Sequence, residues 1–346
     1  LAEYQILYSK INYVFRQGGY VRNEQEREIV NEIQSHELIK GKNTALSKRA
    51  AATCYYVKGL CAITNNDVED SFENFNKVVR IFEENSNLIQ DIPKQYIKSL
   101  GNLFYYYLGN DDFEKLFELI EKMRGLKSQL GFNRIDIEIR IFISTTYFEM
   151  LAYERRGEYD KALSMIDPVK EKLRAFGEKV TKEDEIVFRH IIAKIYFGAQ
   201  QYRESLRQLN LVLNDNENNL RQDIYSFSKL FNLVIHYELG NYDLLDYLIK
   251  STERFFNKRS KALKLGYEFE AAFVGYFKKL SKALRQGERA SHIFKEMKED
   301  LALLLMNRNE KVALEYFDYL TWVEAQILSM PYGELRKTNY NSALGK

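Results

Sequence analysis

Five six-residue stretches share one pattern, and that pattern limits what the chain can fold into. The clearest is Gly157-Glu158-Tyr159-Asp160-Lys161-Ala162. A small residue suited to a turn comes first, then an acidic residue, an aromatic, two polar residues and a small residue. Weaker copies are Asn66-Asp67-Val68-Glu69-Asp70-Ser71, Asp111-Asp112-Phe113-Glu114-Lys115-Leu116, Gln200-Gln201-Tyr202-Arg203-Glu204-Ser205 and Gly240-Asn241-Tyr242-Asp243-Leu244-Leu245. Each follows one helical pattern and opens another. Glycine at a helix end enters the left-handed region without a Cβ clash. Acidic residues then sit in the first turn of the next helix, where the dipole favours them. The aromatic is expected to wedge between the two helices, and the small residue one turn later lets them approach. The third positions of the copies, 68, 113, 159, 202 and 242, recur at intervals of 40–46 residues. Periods of this size mark arrays of stacked helical hairpins.

The stretch from Gly157 to Ala162 resembles the central turn of a tetratricopeptide (TPR) repeat. Gly59 stands where that family places its packing glycine, and Tyr107, Tyr153 and Tyr196 stand at its first-helix aromatic. The resemblance spans roughly residues 45–260. It departs from the family in two ways. The repeat exceeds the family's period of about 34 residues by about two to three helical turns, and the closing proline is missing from most copies. The long period resembles the extended repeats of bacterial regulators and adaptor scaffolds. The fold expected is all-α: a right-handed α-solenoid of about six antiparallel helix hairpins with a C-terminal capping helix.

Composition agrees with helices. Of 346 residues only 3 are proline, which suits long helices. Hydrophobic residues make up 45% and charged residues 29%, an ordinary folded balance that argues against disorder. The 25 tyrosines and 22 phenylalanines are expected to fill seams between hairpins. A formal net charge of +2 offers no electrostatic case for nucleic acid. The nearest basic run, Lys258-Arg259-Ser260-Lys261, reads as the solvated start of a helix. Cys54 and Cys61 lie two turns apart on one expected helix, about 10 Å, too far for a disulfide; they read as small buried hydrophobes. No apolar run approaches the length of a membrane span. A cytoplasmic location is expected, although a chain opening at Leu1 rather than methionine is compatible with removal of an upstream segment.

In order, residues 1–43 read as an N-terminal helical hairpin. A first helix ends at Gln17-Gly18-Gly19, and a second is capped by Asn23 with Glu26 three residues on. Residues 44–259 carry five TPR-like repeats. Pro93 suits a helix start. Pro168 is expected to kink or split its helix, with Asp167 capping the second piece. Thr181 with Asp184 forms a capping-box-like start, and Asn214–Asn219 is the clearest loop. Residues 260–331 read as a degenerate repeat plus a capping helix. One helix is expected from about Ser260 to Gln286, a turn at Gly287, a second to Met306, and a third from Glu310 to Ser329 stopped by Pro331. Residues 332–346 read as a flexible tail.

Catalytic patterns are missing from the sequence. No serine lies in a nucleophile elbow, and neither cysteine sits in a catalytic signature. Glu288, His292 and Glu296 share a helix face, which reads as surface charge pairing rather than a metal site. No cofactor and no metal are expected, and the chain is read as non-enzymatic. The TPR resemblance implies that first helices line a concave face. Laid on this chain, it points inward at Tyr56, Asn102, Tyr105, Tyr147, Lys194 and Tyr237; each of these also admits a seam-filling reading. His190 admits two readings, groove residue or satisfied interior histidine. The family's lysine-and-asparagine arrangement for a C-terminal carboxylate is not recognisable. A protein or peptide partner held in the groove is therefore the expectation; a ligand- or peptide-sensing domain that switches an effector is the alternative.

Overall fold

The computed structural model describes residues 1–18, 21, 23–129, 131–216, 220–263 and 267–343; all its regular elements are helical, and no strand occurs among the described residues. The chain is all-α, as expected. It divides into two compact units, 1–152 and 153–346.

The first unit holds α1 (Ala2–Gly18), α2 (Glu24–Ser35), α3 (Lys48–Thr64), α4 (Val68–Glu83), α5 (Ser86–Asp91), α6 (Pro93–Gly109), α7 (Phe113–Gly125) and most of α8 (Ile135–Arg155). Asn23, Ser47, Asp67 and Asp112 cap α2, α3, α4 and α7, and a tolerated proline starts α6. Asn23 accepts the Glu26 N–H at 2.8 Å ahead of α2, and Pro93 opens α6. Helix α3 packs on α1 and α4, and α4 packs on α6, so consecutive elements are spatial neighbours. Cys54 and Cys61 are both buried and unpaired. A Cβ at Gly59 would come within 2.8 Å of the Phe75 ring, so this glycine permits the close α3–α4 approach.

The second unit begins with the last residues of α8. It continues through α9 (Tyr159–Phe176), α10 (Lys182–Gly198), α11 (Tyr202–Leu213), α12 (Gln222–Glu238), α13 (Tyr242–Leu263), α14 (Glu268–Arg285), α15 (Ser291–Leu304), α16 (Arg308–Lys311), α17 (Ala313–Tyr316), α18 (Tyr319–Leu328) and α19 (Tyr332–Ala343). Neighbours in sequence again pack together from α9 to α15. Thr181 caps α10 through the Asp184 N–H, as expected.

The repeated hexad works as a turn through backbone geometry. The first residue of all five copies is left-handed: Asn66, Asp111, Gly157, Gln200 and Gly240 have φ between 54° and 68°. In each, the next N–H donates to the carbonyl five residues back, closing the preceding helix with the 6→1 bond of a Schellman motif. Gly287 and Ser329 repeat the same device, with Glu288 bonded to Ala283 and Met330 to Ala325, so the turn occurs seven times among the described residues. The sixth hexad position is buried in every copy: Ser71, Leu116, Ala162, Ser205 and Leu245. The third position is not uniformly a wedge. Phe113 and Tyr159 are buried, but Val68 is 46% and Tyr242 40% exposed.

The C-terminal third departs from the sequence expectation in four places. Helix α13 runs on to Leu263 and α14 starts at Glu268, so the single long helix from Ser260 does not form; residues 264–266 lie outside the described residues. The expected helix from Glu310 to Ser329 is broken into α16, α17 and α18, because Phe317 turns extended and Asp318 caps α18 by accepting the Thr321 N–H at 3.0 Å. Pro331 opens α19 rather than ending the chain's order: the Leu335 N–H donates to its carbonyl at 3.1 Å. Residues 332–343, expected to be a loose tail, are helical because Tyr332 and Leu335, three positions apart, are buried against the rest of the unit. Residues 344–346 lie outside the described residues, as do Gly19 and residues 217–219 of the expected loop.

Helix α9 also stays continuous through Pro168. Pro168 and Ser164 are both exposed, so the Ser164 carbonyl deprived of its donor faces water.

Gly157 combines a left-handed backbone with close approach. A Cβ there would lie 2.6 Å from the Lys337 backbone nitrogen of α19, whereas one at Gly240, with the same φ of 68°, would meet open space. Gly240→Ala is expected to cost about 1–2 kcal/mol for the conformation alone. Gly157→Ala is expected to cost at least about 1 kcal/mol more, because α19 must shift. Urea denaturation of the two variants checks this; equal losses would disprove the α19 contact.

Candidate binding surfaces

The residues singled out in the sequence fall on first helices of hairpins in both units. In the first unit they form a patch. Tyr56 on α3 is buried, with its ring edge-on to Tyr8 of α1 at 5.7 Å and to Phe75 at 5.4 Å. Burial raises its phenol, while a hydrogen bond with Asn102 of α6 works the other way. The Asn102 amide nitrogen is buried there, with no other partner among the described residues. Lys98, one turn before Asn102, reaches past α3 to donate to the Tyr8 hydroxyl of α1 at 3.0 Å. Tyr105 on α6 is 51% exposed and stands edge-on to Phe148 of α8 at 4.7 Å; Tyr147 flanks the same ring at 5.4 Å and is half-buried. Side chains of α1, α3, α6 and α8 thus make a surface of tyrosines with a lysine and a buried amide donor.

In the second unit the singled-out residues are covered. His190 and Lys194 on α10 are buried, and Tyr237 on α12 is half-buried among Tyr242, Phe277, Phe294 and Trp322. His190 is interior, its ring meeting Phe231 and Tyr316, but it is not the satisfied histidine expected, because its Nε2 is buried with no hydrogen-bond partner among the described residues. The cover is the chain's own C-terminal segment. Helix α17 packs on α12, α18 packs chiefly on α15 with ring contacts to α14, and α19 packs on α10. Tyr316 stacks on Phe227, Phe317 on Phe231, and Trp322 on Phe277, with centroids 4.4, 4.5 and 5.8 Å apart. The Tyr332 ring meets Phe197 at 5.4 Å. Gly333 faces Gly198 so closely that a Cβ on it would strike the Gly198 carbonyl. Full burial of Phe317, Tyr319 and Trp322 is worth about 1.5–3 kcal/mol for each side chain.

Polar contacts of this segment run in both directions: Lys298 of α15 donates to Glu324 of α18 at 2.8 Å, and the others start from the segment. The Tyr316 hydroxyl donates to Asp223 at 2.8 Å, Trp322 Nε1 and Gln326 Nε2 donate to Glu238 at 2.6 Å, and the Tyr319 hydroxyl donates to the Phe227 carbonyl at 3.2 Å. The Arg336 guanidinium lies 3.7 Å from Glu154 and bonds to Asp318, the cap of α18. Glu154, in the last turn of α8, also pairs with Lys194 at 3.2 Å; the two side chains are 2% and 5% exposed. Burial alone would raise the Glu154 carboxyl, but Lys194 and Arg336 outweigh it and hold it below the usual carboxylate range. Asp318 and Asp223 behave alike, held low against burial by Arg336 and Arg221 respectively. Glu238 has no cation among its causes of shift; burial raises it and its neutral donors only partly offset that.

Sequence reasoning missed Glu154, Asp318, Trp322 and Arg336. The one available signal was Tyr332 and Arg336 at helical spacing with the chain's single tryptophan upstream, in a stretch read as cap and tail. No group of three or more potential metal ligands comes together among the described residues. Glu296, of the Glu288–His292–Glu296 face, pairs with Lys279 at 3.1 Å. No helix is long and apolar enough to cross a membrane among the described residues. No protein-family model matches the chain, and neither does a curated protein or a solved structure.

Two outcomes follow for the buried polar groups. Lys194→Met strips Glu154 of its nearest cation, leaving Arg336 and the weaker Arg155, and is expected to destabilise by about 3–5 kcal/mol; adding Glu154→Leu should recover part of it, read by a double-mutant urea cycle. Burial, helped by Lys194 and Arg221, pushes His190 down to about 3 from 6.5. The unfolded chain therefore binds a proton in that interval that the folded chain refuses, so His190 costs stability as pH falls through it and nothing above it. His190→Gln should flatten the acid limb of Tm against pH by up to one proton, with a constant offset above about pH 7.

Proposed function

We propose that this chain is a non-enzymatic, TPR-like binding scaffold that takes a protein or peptide segment on the first-helix face of its first unit. The observation that carries the reading is the cluster of Tyr8, Tyr56, Lys98 and Tyr105 on one face, with the buried Asn102 amide set beside the Tyr56 phenol. The Asn102 amide has only the Tyr56 phenol beside it, and an incoming backbone carbonyl or carboxylate would be a stronger acceptor. Lys98 supplies a second donor, and the tyrosines supply rigid contact area with polar tips. The repeated hexad is the basis for the TPR-like description. Balanced charge weighs against nucleic acid, and no cofactor has a role in the reading.

Affinity capture from a lysate of the source organism, quantified for the wild type, Asn102→Ala and Tyr105→Ala, tests it. A partner retained by the wild type should be lost by about tenfold or more in each variant, with Tm unchanged for Tyr105→Ala. A partner held equally by all three proteins would overturn the reading.

One observation favours a second reading, a ligand- or peptide-sensing domain that switches an effector. The equivalent face of the second unit holds the chain's own C-terminal segment, an arrangement that an incoming ligand could alter.

A further inference from the structure

We infer that the groove between α6 and α8 of the first unit selects an acidic protein segment. Side-chain carboxylates of that segment lie between Lys98 and Arg140, and its backbone passes over Gly101. This rests on the reading of the chain as a binding scaffold and assigns the chemistry of its partner.

The register of the two helices sets the cations side by side. Lys94 of α6 pairs with Asp136 of α8 at 2.7 Å, and the Tyr105 ring meets Phe148 at 4.7 Å. The helices therefore run in the same direction. Arg140, one turn after Asp136, stands level with Lys98, one turn after Lys94. Tyr147 follows Arg140 by two turns, on the same side of α8.

The two levels differ in charge. At the first, Asp136 is shared by Lys94 and Arg134, at 2.7 and 3.0 Å. At the second no carboxylate answers the cations among the described residues. Lys98 meets only Tyr8, donating to its hydroxyl at 3.0 Å with the ring centroid 5.8 Å away. Arg140 makes no ion pair or hydrogen bond there. Lys98 is thus held in place without being neutralised, and a carboxylate is a stronger acceptor for it than a phenol. Arg140 is half-buried, so its charge is screened less than that of a fully exposed side chain.

Gly101 opens the way for a backbone. It lies inside α6, three residues after Lys98 and four before Tyr105, on one face. Glycine within a helix is less stable than alanine, and no packing calls for it here. A Cβ at Gly101 would meet nothing within 4 Å, whereas one at Gly59 would strike Phe75. Gly275 of α14 shares the open space, but adjoining Lys278 and Lys279 are paired with Glu253 and Glu296. At Gly101 bare backbone lies beside two cations that lack a counter-charge and beside Tyr105, which is 51% exposed. A chain laid along this stripe meets the α6 backbone, sets its carboxylates on Lys98 and Arg140, and rests an apolar side chain on Tyr105. Two cations next to Asp136 make too short a row to follow a nucleic-acid backbone, whose affinity grows with each phosphate neutralised.

The test uses the full chain and fluorescent peptides with both termini blocked, so that only side chains carry charge. One peptide intersperses glutamate with leucine, a second has glutamine for glutamate, and a third has lysine. Anisotropy should show the glutamate peptide binding, and weakening as salt rises. The glutamine peptide should bind at least about tenfold more weakly, and the lysine peptide not at all. Lys98→Gln and Arg140→Gln should each weaken the glutamate peptide by about tenfold and leave the glutamine peptide unchanged. Gly101→Ala should weaken it by a similar factor with Tm equal or higher, a combination that a folding defect does not produce. Equal affinity for the glutamate and glutamine peptides would overturn the inference, as would full affinity in either cation variant or no binding of the glutamate peptide. A single-stranded oligonucleotide bound more tightly than that peptide would replace the acidic segment by a nucleic acid and overturn the assignment. A lysate partner that depends on Tyr105 and Asn102 but not on Lys98, Arg140 or Gly101 would sink this inference and leave the scaffold reading in place.

Discussion

The left-handed residue at each hairpin turn is the constraint on which the rest of the structure depends. A helix can reverse into an antiparallel neighbour over so few residues only if one backbone unit leaves the right-handed region and the freed carbonyl is caught by the 6→1 bond. Three of the seven positions are glycine. The others are Asn66, Asp111, Gln200 and Ser329, where a side chain carries the strain of the left-handed region, about 1–2 kcal/mol. That strain persists because each turn also buries a residue one turn into the next helix, as Ser205 does while donating to the Ala193 carbonyl at 2.7 Å. Turn and seam support each other.

Hairpins made this way leave the first helices of neighbouring pairs side by side, and the two units use that shared feature differently. In the first, the face carries tyrosines, a lysine and a buried amide. In the second, it is packed by the end of the same chain. Aromatic burial supplies most of that attachment, since Trp322 alone meets Tyr237, Phe273, Phe277 and Phe294. The charges beneath it add little net energy, because buried pairs roughly cancel their own desolvation. Their effect is on register: Arg336 fits only where Glu154 and Asp318 both face it.

Much of the fold was legible because it is local. Gly157 announces a turn by its own conformational freedom, Asn23 and Thr181 announce caps by their side-chain oxygens, and the 40–46-residue interval announces repetition. The candidate site was legible only as a set of positions on first helices. Tyr105 and Lys194 have equivalent places in that scheme, yet one is half exposed and the other is sealed against Glu154. Nothing within a turn or two of either residue distinguishes them.

The sequence by itself determined the all-helical class, the hairpin turns and the pairing of each helix with the next, because these follow from backbone conformations and short-range hydrogen bonds. Tertiary structure alone decided that residues 332–343 are a helix and that they rest on α10. Only a turn or so of α19 is apolar, too little to order a short peptide in water. Its order comes from Phe197 and Glu154, more than a hundred positions away, together with Phe317 and Asp318 of the preceding segment, and that dependence leaves no trace in the local pattern.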